Sequence, residues 1–185
     1  TVYKERGSAR FYNWYIYTQD LSKDLDIVQQ YKNPEFDAQG NFLEPVLDEQ
    51  GNFLSGSKLQ TETYYSGIQS REKVDFVLSY AADARKVKSR TDYDYAAASE
   101  ASNPDDGLDI TIEYDVKMFK TPEDAGKIKQ KGQGRKKTET RFVGGENQEI
   151  VDFSYRFNSA GERIKSKTIL FYDGGLSATD IVNLG

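Results

Sequence analysis

Residues 9–31, ARFYNWYIYTQDLSKDLDIVQQY, decide the fold class of this chain. Phe11, Trp14, Tyr15, Thr18, Leu21, Leu25 and Val28 recur at steps of three and four, the apolar stripe of one amphipathic helix or of two abutting helices. Ser8 stands where an N-cap is needed. Asn33-Pro34 ends the run, because the residue before a proline avoids the helical region. The spacing therefore predicts helix at the N-terminus. A second helix is predicted over 66–90, with Val74, Val77, Leu78, Ala81, Ala84 and Val87 as its buried stripe.

Beyond Asn103-Pro104-Asp105-Asp106-Gly107 the period changes to two. In 108–119, LDITIEYDVKMF, Leu108, Ile110, Ile112, Tyr114, Val116 and Met118 alternate with Asp109, Thr111, Glu113, Asp115 and Lys117, as in a half-buried strand. Residues 138–157 read as strand, turn and strand, and 164–173 as a last strand. The apolar run Ile169 to Tyr172 predicts that both faces of that last strand are covered near its end. A short helix over 176–185 closes the chain. The charged stretch 120–137 is expected to be a connection.

Helices first and an antiparallel meander after them predict an α+β domain, with the N-terminal helices packed on a curved antiparallel sheet. The expectation is a single domain over 1–185. Ile112, Tyr114, Val116, Phe153, Tyr155, Leu170 and Tyr172 are its core candidates by alternation. Asp115 and Asp152 fall on the opposite phase and are expected to stay wet and ionised.

The stretch 36–57, FDAQGNFLEPVLDEQGNFLSGS, repeats itself at a step of eleven residues, and Asn158 to Ile164 echoes it. Each copy has an Asp or Asn three residues before a Gly. That is turn chemistry: the side chain accepts backbone N–H groups, and the glycine takes the left-handed conformation. Calcium would need further carboxylates at alternate positions, and neither copy carries one at its third position. The double loop is expected to project and to matter more for partners than for folding.

The chain has 185 residues, a net charge of -5, and neither His nor Cys. Imidazole and thiolate chemistry, zinc sites of those ligands, and disulfides are thereby excluded. The acidic balance argues against nucleic acid as a partner. No apolar run approaches the roughly 20 residues of a membrane-spanning helix. The first residue is Thr1, so processing or trimming of a leading segment is expected. Residues 127–137, KIKQKGQGRKK, are the one basic run, without the interleaved aromatics that would stack on bases. Neither a cofactor nor a metal is expected.

The end of the chain, VDFSYRFNSAGERIKSKTILFYDGGLSATDIVNLG (151–185), resembles the close of the SnoaL-like branch of the NTF2-like superfamily. The matching features are the turn from Phe157 to Ile164, the pair Tyr172-Asp173, and the terminal Leu184-Gly185. The aromatic N-terminal segment is similar to that family's first helix. The resemblance implies a strongly curved cone with a pocket at its mouth, and Asp173 as a cap of the closing helix. It also implies two functions. One is a non-enzymatic structural or protein-interaction domain in an extracytoplasmic assembly, periplasmic or exported, of which a flagellar filament sheath is one version. Its partners would be other protein subunits, further copies of the chain among them. The alternative is a small-molecule pocket or a cyclase or isomerase using a lone carboxylate, for which Asp115, Asp152 and Tyr155 are the positional candidates. No catalytic residue is carried over from the family. The interaction candidates are Tyr12, Ile16 and Tyr17, which lie off the main stripe, with Phe42 and Phe53 of the double loop.

Overall fold

The computed structural model describes residues 3–5, 11–17, 24–44, 46–47, 53–67, 71–81, 86–95, 107–119, 124–145 and 148–184. The chain divides into two compact units, Thr1–Arg90 and Thr91–Gly185. Both are built of antiparallel strands, and only two short α-helices occur among the described residues.

The first unit holds β1 (Tyr3–Glu5), β2 (Phe11–Tyr17), β3 (Leu25–Lys32), β4 (Val46–Leu47), β5 (Phe53–Ser55), β6 (Lys58–Ser66) and β7 (Lys73–Tyr80). The pairs β1–β2, β2–β3, β3–β6 and β6–β7 make a meander, and β4 pairs with β5 as a separate two-stranded sheet. A further strand, β8 (Val87–Tyr95), spans the division between the units.

The expected α+β class is therefore corrected. No described residue of 9–31 or 66–90 is helical; the strands that fall there are β2, β3, β7, the end of β6 and part of β8. The physical reason lies in the residues. In FYNWYIY nearly every position is aromatic or β-branched, so apolar steps of two, three and four are all present and periodicity cannot choose. Such side chains lose rotamer freedom in a helix and pack well on a pleat. In KVDFVLSY the residues Val74, Phe76, Leu78 and Tyr80 alternate with Lys73, Asp75, Val77 and Ser79, and Phe76 and Leu78 are buried. With strands in place of the N-terminal helices, the helix-wrapped cone is not formed. Ala84, and residues 96–106 with most of the expected turn at 103–107, lie outside the described residues.

One face of the first meander is aromatic. Tyr12 pairs with Tyr31 and Trp14 with Gln29 across β2–β3; Gln29 pairs with Glu62 and Tyr64 with Phe76 farther on. Tyr64 and Phe76 stack at 4.3 Å, and the Arg90 guanidinium lies 3.8 Å over the Phe76 ring. Residues 36–44 fold back onto this face. Phe42 stacks on Tyr12 at 4.5 Å and meets the rings of Tyr31, Trp14 and Phe36 edge-on. The fold-back is tied down by Leu43 N–H to the Glu35 carbonyl, Ser57 N–H to the Leu43 carbonyl, and Glu35 N–H to the Ser57 hydroxyl. A side chain at Gly56 would meet the Glu44 carbonyl oxygen at 2.2 Å, so only glycine fits there. This first copy of the repeat thus covers the sheet instead of standing clear of it.

The second unit holds β9 (Leu108–Asp115), α1 (Ala125–Ile128), β10 (Arg135–Val143), β11 (Ile150–Phe157), β12 (Ile164–Ile169) and α2 (Ala178–Leu184). The strands pair in chain order, β9–β10–β11–β12. Here the expected strands and closing helix are present. The charged stretch 120–137 is only partly a connection, because it contains α1 and the first residues of β10. Tyr114 and Val116 are buried, whereas Ile112, Phe153, Tyr155, Leu170 and Tyr172 are half-buried. The opposite face is polar: Thr111, Thr140, Ser154 and Thr168 are register partners in one row across all four strands.

Candidate functional site

The last strand is where the second unit departs most from expectation. All six residues of β12 are exposed, so its faces are not covered. Ile164 is 53% exposed and Ile169 50%, and Phe171, just beyond the strand, is 68% exposed. β12 pairs with β11 alone and ends the sheet order, with no strand beyond it among the described residues. Strand geometry then fixes which backbone groups are open. The Leu170 N–H points inward, to the Asp152 carbonyl at 3.3 Å. Successive residues alternate, so Lys167 and Ile169 direct their N–H and C=O groups outward. Their side chains share one face, since Tyr155 pairs with Lys167 and Phe153 with Ile169. The Lys167 ammonium sits 4.2 Å over the Phe153 ring and 5.6 Å from that of Tyr155. At the other end a register shift between Arg156 and Phe157 interrupts the β11–β12 ladder. The result is an open edge with a cation, an isoleucine and a phenylalanine in a row.

The basic run offers no comparable site. Five of its six cations are neutralised within the unit: Lys127 by Asp124, Lys131 by Asp94, Arg135 by Asp115, Lys136 by Glu139 and Lys137 by Glu113. The turn that carries it is held by the buried Asp92, which accepts the Gly132 N–H at 2.8 Å. A groove of about 280 Å³ runs beside Arg135, Lys137 and Arg156, but only Arg156 among these three lacks a carboxylate partner among the described residues.

No protein-family model and no curated protein matches the chain.

The structure scatters the residues singled out in the sequence. Tyr12 is buried in the aromatic face, while Ile16 and Tyr17 are half-buried farther along β2. Phe42 is half-buried in the ring cluster. Phe53 opens β5, and its side chain lies outside the described residues, as do residues 48–52 of the second repeat. Val46 and Leu54, on the paired strands either side of that repeat, are exposed.

The turn reading of the first copy and of the C-terminal echo agrees with the structure. The Asp37 carboxylate accepts the N–H groups of Gln39 and Asn41 and the Asn41 amide, and Gly40 has φ 81°. Those donors hold the Asp37 carboxyl below the usual carboxylate range. Asn158 does the same for the Glu162 and Arg163 N–H groups, with Gly161 at φ 80°.

Asp115 is bound to Arg135 at 3.3 Å, and Asp152 is half-buried on β11. The cap of α2 is not Asp173, which lies in a preceding 3-10 turn. Ser177 caps it: its hydroxyl accepts the Asp180 N–H at 3.2 Å, and the Asp180 carboxylate accepts the Ser177 N–H at 3.0 Å. No helix among the described residues is long and apolar enough to cross a membrane.

Two features escaped the sequence reading. One is the edge, for which a signal existed: the last strand of a meander has no neighbour on one side, and lysines at alternate positions are common on such strands. The other is Glu62 on the aromatic face. Its carboxylate accepts the Tyr80 hydroxyl at 2.5 Å, the Gln29 amide at 2.8 Å and the Tyr64 hydroxyl at 3.3 Å. Burial first, then the Glu62 charge and hydrogen bond, push the Tyr80 hydroxyl far above its ordinary range. Nothing in the local sequence marks Glu62 as the acceptor shared by side chains of three strands, β3, β6 and β7.

Proposed function

We propose that this chain is a non-enzymatic protein-interaction domain that joins an assembly through the open edge of β12. The observation that carries the reading is the exposure of the whole strand, with Ile164, Ile169 and Phe171 in solvent beside unpaired backbone groups. Such an edge accepts a further strand: main-chain hydrogen bonds supply affinity, and side chains at alternate positions supply selectivity. The acids of the second unit support a non-catalytic role, since Asp115, Glu113 and Glu139 are each bound to a cation of the same unit. The cyclase or isomerase alternative needed the mouth of a helix-wrapped cone, and strands at 11–17, 25–32 and 73–80 stand where its helices were expected.

The test is Ile169→Pro. Its N–H faces outward, so proline there removes no bond to β11 and is tolerated as on other edge strands. The native chain and the variant are used to capture partners from the source cell, and hydrogen exchange is measured on the captured complex. Partner binding should fall at least about tenfold with the variant, and the Lys167 and Ile169 amides should be protected in the native complex. Undiminished capture with freely exchanging amides would refute the edge reading.

A further inference from the structure

We infer that the segment received at β12 is the β12 of a second copy of this chain, added antiparallel about a two-fold axis at Ile169. This rests on the strand-addition reading above and names its partner. Under such an axis Ile169 lies opposite the partner's Ile169, Thr168 opposite the partner's Leu170, and Lys167 opposite the partner's Phe171. The pairs at Ile169 and at Lys167 are complementary. Two half-exposed isoleucines cover each other. The ammonium of Lys167 meets the partner's Phe171, a ring that is 68% exposed in the single chain. Lys167 already lies over rings on its other side, Phe153 and Tyr155, so a third ring completes an aromatic surround for one cation. Both copies supply the same parts, which is what a two-fold contact requires.

Charge also selects the register. Moving the axis to Lys167 would set Lys167 against the partner's Lys167, and like charges directly opposite are destabilising. Edge lysines usually oppose self-pairing. Here the lysine opposes that register and leaves the one at Ile169 open. The register shift near Arg156 and Phe157 ends the regular ladder on the N-terminal side of β12, confining the contact to residues 167–171. A contact this short buries less than a standard interface, so the dimer is expected to be weak.

The chain has no cysteine, so single-cysteine cross-linking reads the register directly. Directly opposite residues in a hydrogen-bonded antiparallel pair have Cα atoms about 5.5 Å apart, within disulfide range. Under mild oxidation Ile169→Cys should become mostly covalent dimer. Lys167→Cys alone should not, but an equimolar mixture of Lys167→Cys and Phe171→Cys should cross-link. Ser159→Cys, exposed but away from the edge, sets the background. In sedimentation velocity the native chain should dimerise with rising concentration, and Ile169→Pro and Ile169→Lys should each weaken this at least about tenfold. Circular dichroism of both variants shows that they are folded.

A chain that stays monomeric at about 1 mM, with Ile169→Cys at background, overturns the second copy. The edge reading survives that result if the Lys167 and Ile169 amides become protected in a complex with a different protein. Dimerisation unaffected by either Ile169 variant, with those amides unprotected, also overturns the second copy at this edge.

Discussion

Each unit places one glutamate on the aromatic face of its meander, and the two are satisfied in opposite ways. Glu62 accepts from uncharged groups, the Tyr80 and Tyr64 hydroxyls and the Gln29 amide. Glu139 accepts from cations, Lys136 Nζ at 3.0 Å and Arg141 Nε at 3.1 Å. Neutral donors leave the charge in place, and its effect falls on the neighbours: Tyr80 is pushed up by burial and then by the Glu62 charge, and Tyr31 by burial and then by the charges of Glu44 and Glu62. Cationic donors cancel the charge. Burial of Glu139 works upward, but the bonds and charges of Lys136 and Arg141 outweigh it, and its carboxyl is held below the ordinary range. A carboxylate on an aromatic strand face can thus be accommodated by either route, and the two routes fail at opposite ends of the pH scale.

The largest effect tests the cover over the first cage. Phe42→Ala removes the ring at the centre of the Tyr12, Trp14, Tyr31 and Phe36 cluster and should cost about 3 kcal/mol. Urea unfolding followed by Trp14, the sole tryptophan, measures it. An unchanged midpoint would mean that 36–44 only rests on the sheet. Glu62→Ala should cost about 2 kcal/mol, because Tyr80, Tyr64 and Gln29 lose their common acceptor. Glu139→Gln should cost less, about 1 kcal/mol, because Lys136 and Arg141 are 29% and 38% exposed and can turn to water. Equal losses for the two glutamates would break the comparison.

The smallest effects are the pH responses. Tyr80 and Tyr31 have folded pKa values raised above the unfolded value of about 10, so their contribution is complete below about pH 10 and is lost as pH rises. Glu139 has a folded pKa depressed below the unfolded value of about 4.3, so its contribution is present above that pH and is lost as pH falls through the lower folded value. Hydrogen exchange resolved by segment should show alkaline loosening first in β6–β7 and acid loosening first in β10. Tyr80→Phe should blunt the alkaline response alone, and Glu139→Gln the acid response alone. A variant that altered both would show that the two cages are not independent.

Much of the second unit was legible in the sequence. Leu108 to Asp115 alternates so cleanly that only a strand satisfies it, and Tyr114 and Val116 are buried as the phase requires. The first unit was misread because FYNWYIY satisfies every apolar period at once. In 73–80 the helical stripe through Val74, Val77 and Leu78 shared two of its residues with the strand phase. The exposure of β12 was hidden for a different reason. Ile169-Leu170-Phe171-Tyr172 has the composition of a covered strand, and composition does not report whether a neighbour exists.

What the sequence determined by itself is what closes within a few residues. The turn at Asp37 to Asn41 is held by bonds spanning two to four positions, and that at Asn158 to Arg163 by bonds spanning four to five. The absence of His and Cys restricts the chemistry of any fold the chain adopts. The tertiary structure decided everything that depends on distant partners. Gln29 meets Glu62 across 33 residues, Phe42 finds Tyr12 and Trp14, and β12 has no strand beyond it among the described residues. Strand pairing gains its hydrogen bonds only after such loops are closed, so the choice of strand over helix, and of covered over open edge, belongs to the assembled sheet and not to any local segment.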